Sequence, residues 1–340
     1  MRVYRLPTAG GIDSLTMVDE DMPRPGRGQV LVRMQAASLN FRDLLVVKGQ
    51  YGRSPARPNL IPLSDGAGEV VEVGAEVSRV KLGDRVAGIF MQEWIGGPMT
   101  PEVQPSALGG GARDGVLAEY VLLDQHGVVP IPAHLSYAEA ACLPCAAVTA
   151  WNALFSYRPL VAGDTVLVLG TGGVSVFALQ FARMAGCRVI TTSSSDDKLE
   201  RARSLGASDG VNYRTRPEWQ QAVQDLTEGR GVDHVVEVGG AGTLSRSLQS
   251  ARLGGAIHLI GVLTGVADVN PMAILQRNLT VRGVFVGSRH MFEDMNRALA
   301  FHQLRPVIDR VFPFDHAKAA LRHLESQTHV GKVVIAIGAA

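Results

Sequence analysis

Residues 165–175 of this 340-residue chain read TVLVLGTGGVS, an apolar run that meets a glycine-rich turn. The run predicts a buried strand, and the apolar residues beyond the turn predict a helix. Gly170 permits a tight turn, Gly172 lets a pyrophosphate approach the backbone, and the helix N-terminus attracts the anion. Ser175 stands at the third position of this pattern, where a small side chain allows close helix–strand packing. The stretch therefore predicts a nucleotide-binding turn.

The end of the next strand distinguishes between the two nicotinamide dinucleotides. A site for NAD places an acidic residue there, about 20 residues on, to bind the ribose 2′-hydroxyl. This chain has the hydroxyl run TTSSS at 191–195 instead, and Lys198 is near enough in sequence to pair with a 2′-phosphate. We interpret Asp196 as the N-cap of the following helix, whereas an inward-turned Asp196 would favour NAD. The pattern predicts NADPH as the cofactor.

Strands and helices alternate along the middle of the chain. After the first strand and its helix come the strand CRVITT (187–192) and the helix-like DDKLERARSLGA (196–207). Three further apolar strands follow, with helical stretches between most of them: VDHVVEVGG (232–240), GAIHLIGV (255–262) and LTVRGVFVG (279–287). This alternation predicts an α/β fold with a doubly wound parallel sheet of the Rossmann type, covered on both faces.

The first 125 residues predict a different architecture. Short alternating apolar runs, such as QVLVRMQAA (29–37), GEVVEVG (68–74) and DRVAGIF (84–90), are separated by turn residues. This pattern predicts a small antiparallel β domain. Residues 91–115 hold several Gly and Pro without a clear period and predict a surface lobe or a long loop.

The last elements of the chain are expected to return to this first domain. We therefore predict a β-rich catalytic domain of residues 1–146 and 288–340, with the Rossmann domain of residues 147–287 inserted. The active site is expected in the cleft between them, at the carboxyl ends of the parallel strands.

Composition limits the class of protein. Hydrophobic residues make up 46% of the chain and charged residues 19%, as in a globular protein with sizeable cores. The net charge of +1 favours neither nucleic acid nor an anionic membrane as a partner. The N-terminus lacks the apolar core of a signal peptide, and no apolar run reaches the ~18 residues of a membrane span. With only three cysteines, we expect a cytoplasmic protein.

Metal ligands of the usual kinds are scarce. No His precedes His126 and no Cys precedes Cys142, whereas a catalytic zinc needs about three protein ligands. Cys142 and Cys145 have CxxC spacing, but their surroundings predict a buried helix in which a cysteine is a small apolar residue. We therefore predict no bound metal.

Taken together, these stretches resemble the medium-chain dehydrogenase/reductase superfamily over nearly the whole chain. The resemblance is carried by GQVLVRMQAASLNFRD (28–43), DGAGEVVEVG (65–74), GDRVAG (83–88), LPCAAVTAWNAL (143–154), VLVLGTGGVS (166–175), VRGVFVGSR (281–289) and GKVV (331–334). It implies that the β-rich domain is GroES-like and that the chain is an oxidoreductase.

Zinc alcohol dehydrogenases of this superfamily have three protein ligands to the catalytic metal. The first is a Cys in the segment that matches residues 38–43, where this chain has none. The second is the His of a His-Glu pair, where this chain has Ser64 and Asp65, and the third matches Cys145. A four-cysteine structural lobe is also absent from residues 91–115. The resemblance therefore points to the zinc-independent branch, which includes NADPH:quinone reductases and enone or enoyl reductases.

The same resemblance implies a set of site residues. Asn40 and Tyr51 would face the nicotinamide and the substrate. The cofactor would contact Thr149, Gly170, Thr171, Gly172, Gly173, Val174, Ser193, Ser194, Lys198, Tyr213, Val238, Gly239, Gly261, Val262, Phe285, Val286 and Lys332. From the residues alone, Tyr51 is equally a loop aromatic, Asn40 a turn or cap residue, and Lys332 a solvated charge at a strand edge.

The predicted reaction is transfer of a hydride from NADPH to a quinone or an α,β-unsaturated carbonyl compound without a metal. Such substrates need less electrophilic help than a simple ketone, so the missing ligands argue against alcohol oxidation. Asn40 and Tyr51 are the predicted donors to the carbonyl oxygen. Metal-free alcohol or carbonyl redox chemistry and an NADPH-binding sensor are the alternatives. The apolar strand 279–287 predicts a homodimer paired through the Rossmann sheet.

Overall fold

The computed structural model describes residues 1–52, 56–261, 263, 265 and 268–338. The chain divides into two compact units, Met1–Val148 with Gly287–Ala340, and Thr149–Val286. The predicted boundaries, 146/147 and 287/288, fall within two residues of these.

The strands, in chain order, are β1 (Arg2–Arg5), β2 (Thr16–Asp19), β3 (Gln29–Ser38), β4 (Asp65–Val73), β5 (Arg85–Gly88), β6 (Tyr120–Asp124), β7 (Val128–Pro130), β8 (Thr165–Leu169), β9 (Arg188–Ser193), β10 (Asp209–Asn212), β11 (Val232–Glu237), β12 (Ala251–Leu259), β13 (Thr280–Gly283), β14 (Ile308–Pro313) and β15 (Lys332–Ala336). The α-helices are α1 (Phe41–Val47), α2 (Tyr137–Ala140), α3 (Val148–Trp151), α4 (Gly173–Met184), α5 (Asp196–Ser204), α6 (Trp219–Leu226), α7 (Ala241–Ser250), α8 (Met272–Gln276), α9 (Arg289–His302) and α10 (Ala317–Glu325).

The first unit is built on a sheet of order β14-β15-β3-β4-β5-β7, with β6 also paired to β3. All of its pairings are antiparallel except that of β14 with β15. The long strand β3 is its centre, and Val30, Val32 and Met34 are buried in the core. The C-terminal strands β14 and β15 belong to this sheet, which is antiparallel except at that pair.

The last residue of β3 fixes three parts of the chain in register. Ser38 is paired with Val334 of β15 on one side and with Asp65 of β4 on the other. Because α1 begins three residues later, the junction between β3 and α1 lies beside the first residues of both neighbouring strands. This register brings together residues that are distant in sequence.

The second unit is a six-stranded sheet of order β10-β9-β8-β11-β12-β13, in which every pairing is parallel. Its inner strands are largely buried because helices cover the sheet, and Leu167, Ile190, Val235 and Ile257 are fully buried in the core. The predicted Rossmann sheet is confirmed, and β13 is one of its two edge strands.

Local structure differs from the prediction in three places. The single buried helix expected around Cys142 and Cys145 is interrupted by π-helical turns at Leu143–Ala147 and Asn152–Ser156; Pro144 has no N–H to continue an α-helical ladder. Helix α5 begins at Asp196 and its N-cap is Ser195, so the predicted cap was wrong by one residue. Residues 91–115 are not all at the surface, since Trp94 and Leu108 are buried.

Among the described residues, no helix is both long enough and apolar enough to span a bilayer.

Candidate active site

The predicted cofactor residues of the second unit lie along one edge of its parallel sheet. Gly170 follows β8, Ser193 ends β9, Val238 follows β11, Gly261 lies beyond β12 and Phe285 lies beyond β13. Parallel strands end at the same edge, so these positions are close in space. Thr171 and Gly172 complete the turn, Gly173 and Val174 begin α4, Ser194 follows Ser193, and Gly239 follows Val238. Val262 lies outside the described residues.

The glycine turn has the geometry that a pyrophosphate requires. Gly170 has a φ of 73°, which disfavours other residues, and Gly172, the N-cap of α4, places no side chain at the helix N-terminus. A Cβ atom added at either glycine would meet no atom within 4 Å from the described residues beyond the turn itself. The hydroxyl of the buried Ser175 donates to the Leu169 carbonyl at 2.6 Å. Backbone N–H groups beside open space fit a phosphate anion.

The turns after β11 and β12 are in direct contact. A Cβ atom at Gly261 would lie 1.8 Å from the Val238 carbonyl oxygen, so only glycine fits there. The buried carboxylate of Glu237 accepts hydrogen bonds from the N–H groups of Gly239 and Gly240 at 2.7 and 2.9 Å. Sequence reasoning missed Glu237, although a carboxylate that ends an apolar strand is a visible signal.

The region predicted for the 2′-phosphate lies around the end of β9. Ser193 is buried, and its carbonyl accepts from the Tyr213 N–H at 3.0 Å, while the Tyr213 side chain is 42% exposed. The exposed Asp196 accepts from the Asn212 side chain at 2.9 Å. Its carboxylate therefore has a polar partner at the surface. Lys198 is half-buried on the first turn of α5.

The segment after β13 is held by a side chain that sequence reasoning missed. Val286, a β-branched residue, has a φ of 53°, a conformation that is rare for such residues. Its carbonyl accepts from Asn152 Nδ2 at 2.6 Å, and Asn152 Oδ1 accepts from Arg282 at 2.9 Å. Thr149 is buried in the same unit.

In the first unit, Asn40 occupies the junction between β3 and α1 as the N-cap of the helix. Its backbone N–H donates to Asp43 Oδ2 at 2.8 Å, and its side-chain Oδ1 accepts from Lys332 Nζ at 2.6 Å. Its Nδ2 atom is buried and has no hydrogen-bond partner within the described parts of the chain. The interpretation of Asn40 as a cap residue is therefore correct, and the cap also presents an unused donor.

Lys332 is only 3% exposed, so the alternative of a solvated charge is wrong. Its ammonium also donates to the Leu39 carbonyl at 2.6 Å. The predicted contact of Lys332 with a cofactor stays a prediction.

Tyr51 lies against a buried arginine that the sequence analysis did not single out. The Arg42 guanidinium carbon is 4.8 Å from the Tyr51 ring centroid and 5.0 Å from that of Phe90. Arg42 also donates to the Leu108 carbonyl at 2.9 Å, which ties residues 91–115 to α1. Burial is the largest single effect on Arg42 and lowers its pKa, but Asp43, Tyr51 and Cys145 together outweigh it, so the pKa of the guanidinium is raised. Burial raises the pKa of Asp43 to about 6, against the opposing effect of Arg42.

The positions that match zinc ligands hold a hydrogen-bonded cluster. Ser64 Oγ donates to Asp65 Oδ1 at 2.6 Å, and the Cys145 N–H donates to Asp65 Oδ2 at 3.0 Å. Desolvation raises the pKa of the Cys145 thiol and that of Cys142, the latter to about 12, so both thiols stay protonated at neutral pH. Zinc needs thiolate, imidazole or carboxylate ligands, and no group of three His, Cys, Asp or Glu side chains in the described ranges is placed to hold a metal. The donor set does not fit a catalytic zinc.

A parallel sheet with a nucleotide-binding glycine turn, joined to an antiparallel domain that carries polar site residues, defines a two-domain dehydrogenase or reductase. Residues 26–133 match the sequence model of the alcohol dehydrogenase GroES-like domain, and residues 173–301 match that of the zinc-binding dehydrogenases. The chain belongs to the medium-chain dehydrogenase/reductase superfamily.

Two curated relatives cover almost the whole chain. A zinc-type alcohol dehydrogenase-like protein of Schizosaccharomyces pombe is 44% identical over 96% of each chain. The quinone oxidoreductase of Lama guanicoe is 30% identical over 98% of this chain and 97% of its own.

Two solved structures have the same fold over nearly their full length. An NAD-dependent alcohol dehydrogenase has a TM-score of 0.90 at 34% identity, and covers 99% of this chain and 100% of its own. A mycobacterial protein complexed with NADPH has a TM-score of 0.82 at 27% identity, with the same coverage. The family is therefore NAD(P)-dependent, and the relatives include both cofactor types.

Proposed function

We propose that this oxidoreductase uses NADPH to reduce a quinone or an α,β-unsaturated carbonyl compound without a catalytic metal. The quinone oxidoreductase among its relatives supports the substrate class. The donor set at Ser64, Asp65 and Cys145 supports the absence of a metal from the mechanism, because the Ser64 hydroxyl and the Cys145 N–H both donate to the Asp65 carboxylate.

The observation that carries the proposal is the unused donor at Asn40. A buried N–H group without a partner costs about 1–3 kcal/mol, and Asn40 Nδ2 is such a group among the described residues. A substrate carbonyl oxygen would satisfy it. Because negative charge develops on that oxygen as the carbon skeleton accepts a hydride, a donor fixed in advance stabilises the transition state more than the ground state.

NADPH, when bound, supplies a hydride from C4 of its nicotinamide. The acceptor gains two electrons with this hydride and needs one proton to become a hydroquinone or a saturated ketone. Asn40 stabilises the developing oxyanion, and we assign proton donation to the Tyr51 hydroxyl or to water. The Arg42 guanidinium packs on the Tyr51 ring.

The assay that tests the reaction is NADPH oxidation by metal-stripped protein. We would offer a small quinone, an α,β-unsaturated ketone and a simple aldehyde in parallel, with and without chelator. Turnover of the quinone or enone that the chelator does not affect is the expected result. Turnover of the aldehyde alone, restored by zinc, would contradict the proposal. Tight NADPH binding without consumption across the panel would indicate a sensor instead.

The cofactor preference has a separate test at the end of β9. Replacement of the buried Ser193 by Asp places a carboxylate near the predicted 2′-phosphate, which it repels while it can bind a 2′-hydroxyl. We expect the ratio of kcat/KM for NADPH to that for NADH to reverse. The exposed Ser204→Asp on the same unit is the matched control. An unchanged ratio in Ser193→Asp would mean that the protein does not recognise the 2′-phosphate here.

Metal-free alcohol or carbonyl redox chemistry is the second candidate. The similarity to a zinc-type alcohol dehydrogenase-like protein and to an NAD-dependent alcohol dehydrogenase favours it. Chelator-resistant oxidation of a simple alcohol, in the absence of quinone turnover, would establish this candidate.

We also propose that two copies pair through the edge strand β13. Light scattering of the wild-type protein is expected to give twice the mass of 36.2 kDa. A monomer at micromolar concentration would refute the dimer without bearing on the reaction.

A further inference from the structure

Lys332 is a buried cation whose contacts are directed at the candidate donor. Its ammonium lies 2.6 Å from the Leu39 carbonyl oxygen and 2.6 Å from Asn40 Oδ1. Burial of an ammonium is costly unless hydrogen bonds replace its water. Both of these acceptors belong to the junction between β3 and α1, so the lysine is stabilised by the part of the chain that carries Asn40.

The sheet register explains why these residues meet. β15 runs antiparallel to β3 with Val334 opposite Ser38, and the Leu39 N–H donates to the Val333 carbonyl at 2.9 Å. Continuation of this register by two residues places Lys332 opposite Asn40. The contact therefore follows from main-chain pairing and does not depend on a flexible surface side chain.

The ammonium determines which way the Asn40 amide faces. An ammonium has only donors, so the atom that faces Lys332 must be the amide oxygen, and the NH₂ group must point away from it. The same hydrogen bond is charge-assisted, and it withdraws electron density from the amide, which makes the N–H groups stronger donors. Lys332 thus both orients and polarises the Asn40 amide, whose Nδ2 atom has no partner among the residues that the structure describes.

We propose that Lys332 is a positioning residue that fixes the Asn40 amide so that Nδ2 donates to the carbonyl oxygen of the substrate. This inference rests on the proposed function and differs from the predicted contact of Lys332 with the cofactor. In this proposal Lys332 raises kcat by orienting Asn40, and it does not contribute to the affinity for NADPH.

The decisive experiment is a double-mutant cycle in kcat with the preferred quinone or enone. Lys332→Met keeps an unbranched side chain of similar size and removes the ammonium donors, and we expect kcat to fall about a hundredfold because Asn40 Nδ2 is then misplaced. In the Asn40→Ala background the same substitution should change kcat by less than about threefold, because residues that act as one unit are not additive. The exposed Lys81→Met is the matched control and should leave kcat unchanged. Lys332→Arg, which keeps a cationic donor, should retain more turnover than Lys332→Met.

Two further measurements separate positioning from cofactor binding and from misfolding. The NADPH dissociation constant, measured by fluorescence, should differ by less than about threefold between wild type and Lys332→Met. Tenfold weaker binding of NADPH with kcat unchanged at saturation would overturn the proposal in favour of a cofactor contact. Equal losses from Lys332→Met with and without Asn40 would overturn it as well.

A readout independent of turnover is the ¹⁵N–¹H resonance of the Asn40 side-chain amide, assigned from its absence in Asn40→Asp. We expect this resonance to shift in Lys332→Met and to stay in place in Lys81→Met. An unshifted resonance would overturn the positioning role whatever the enzyme does. No turnover with any quinone or enone, together with a shifted resonance, would refute the proposed function and leave the contact itself established.

Discussion

The two units of the protein each bury a polar cluster, and the clusters differ in whether they are complete. In the second unit, the carboxylate of Glu237 is fully buried and accepts from Gly239, Gly240, Thr243 and Ser247. In the first unit, the Asn40 backbone N–H donates to Asp43 and its side-chain oxygen accepts from Lys332. Its Nδ2 atom has no partner among the described residues.

The difference indicates what each cluster is for. A complete cluster contributes to stability, since the hydrogen bonds repay the burial of its charge. An incomplete cluster sacrifices some stability and has a donor available for a ligand. The following substitutions test this distinction, in order of the size of the effect expected.

Glu237→Ala should give the largest loss of stability. It removes the carboxylate to which two backbone N–H groups and two hydroxyls donate, and we expect the free energy of unfolding to fall by about 3–5 kcal/mol. Urea unfolding followed by circular dichroism measures this. The exposed Glu200→Ala on α5 is the control and should change stability by less than about 0.5 kcal/mol. A loss below about 1 kcal/mol in Glu237→Ala would mean that the cluster is not the structural element we describe.

Asn40→Asp should reduce turnover strongly and stability little, in contrast to Glu237→Ala. The carboxylate keeps the shape of the amide and still accepts from Lys332, but it has no N–H to offer a substrate. We expect unfolding in urea to be nearly unaffected, while kcat falls by about a hundredfold or more, as for removal of one oxyanion donor. Full turnover in Asn40→Asp would show that the unpaired donor has no catalytic role.

Most of the fold could be predicted because buried strands leave a visible apolar pattern. Strands β3, β4, β8 and β11 lie in the interior of their sheets and follow the predicted apolar runs. The strand β10 was missed because it forms the sheet edge with the sequence DGVN, in which only Val211 is fully buried. Edge strands bury less surface, so their sequences carry less information.

The candidate site was predictable in parts only. The glycine turn was predictable because positive φ and close approach require a particular residue, and that residue is visible in the sequence. The contact of Lys332 with Asn40 joins residues 292 positions apart and arises from sheet register. Arg42 could have been noticed as a cation within an apolar stretch, but its packing between two aromatic rings depends on tertiary structure.

His258 tests whether an unpaired buried atom by itself marks function. Its Nδ1 atom also lacks a partner in the described ranges, but its Nε2 lies 3.1 Å from His234 Nδ1 inside the second unit, with Asp164 beyond His234. Burial, and then His234, lowers the pKa of His258 to about 3, with smaller effects from Arg158 and Arg282. An unfolded histidine has a pKa near 6.5, so the unfolded state binds more protons between about pH 3 and 6.5.

The sign of the effect follows from this difference. The contribution of His258 is fully present above about pH 6.5 and is lost as the pH falls, by about 2 kcal/mol between pH 7 and pH 5. His258→Gln should reduce the loss of unfolding free energy between pH 7 and pH 5, measured in urea, and should leave kcat at pH 7 unchanged. The exposed His316→Gln is the control and should change neither the pH dependence of stability nor kcat. A large fall in kcat for His258→Gln would place this pair in the functional machinery.

Gly172→Ala is expected to have the smallest effect of these substitutions. It compares a glycine beside unfilled space, Gly172, with a glycine packed against a backbone carbonyl, Gly261. At Gly172 the added Cβ atom meets no atom within 4 Å from the part of the chain that the structure describes beyond the turn, whereas at Gly261 it would lie 1.8 Å from the Val238 carbonyl oxygen. We expect Gly172→Ala to change the free energy of unfolding by less than about 0.5 kcal/mol, but to weaken NADPH binding about tenfold, or ~1.4 kcal/mol. Gly261→Ala is the contrasting variant and should lose about 1–3 kcal/mol of stability through overpacking. Unchanged NADPH affinity in Gly172→Ala, measured by fluorescence titration, would mean that the space above the turn is not where the pyrophosphate binds.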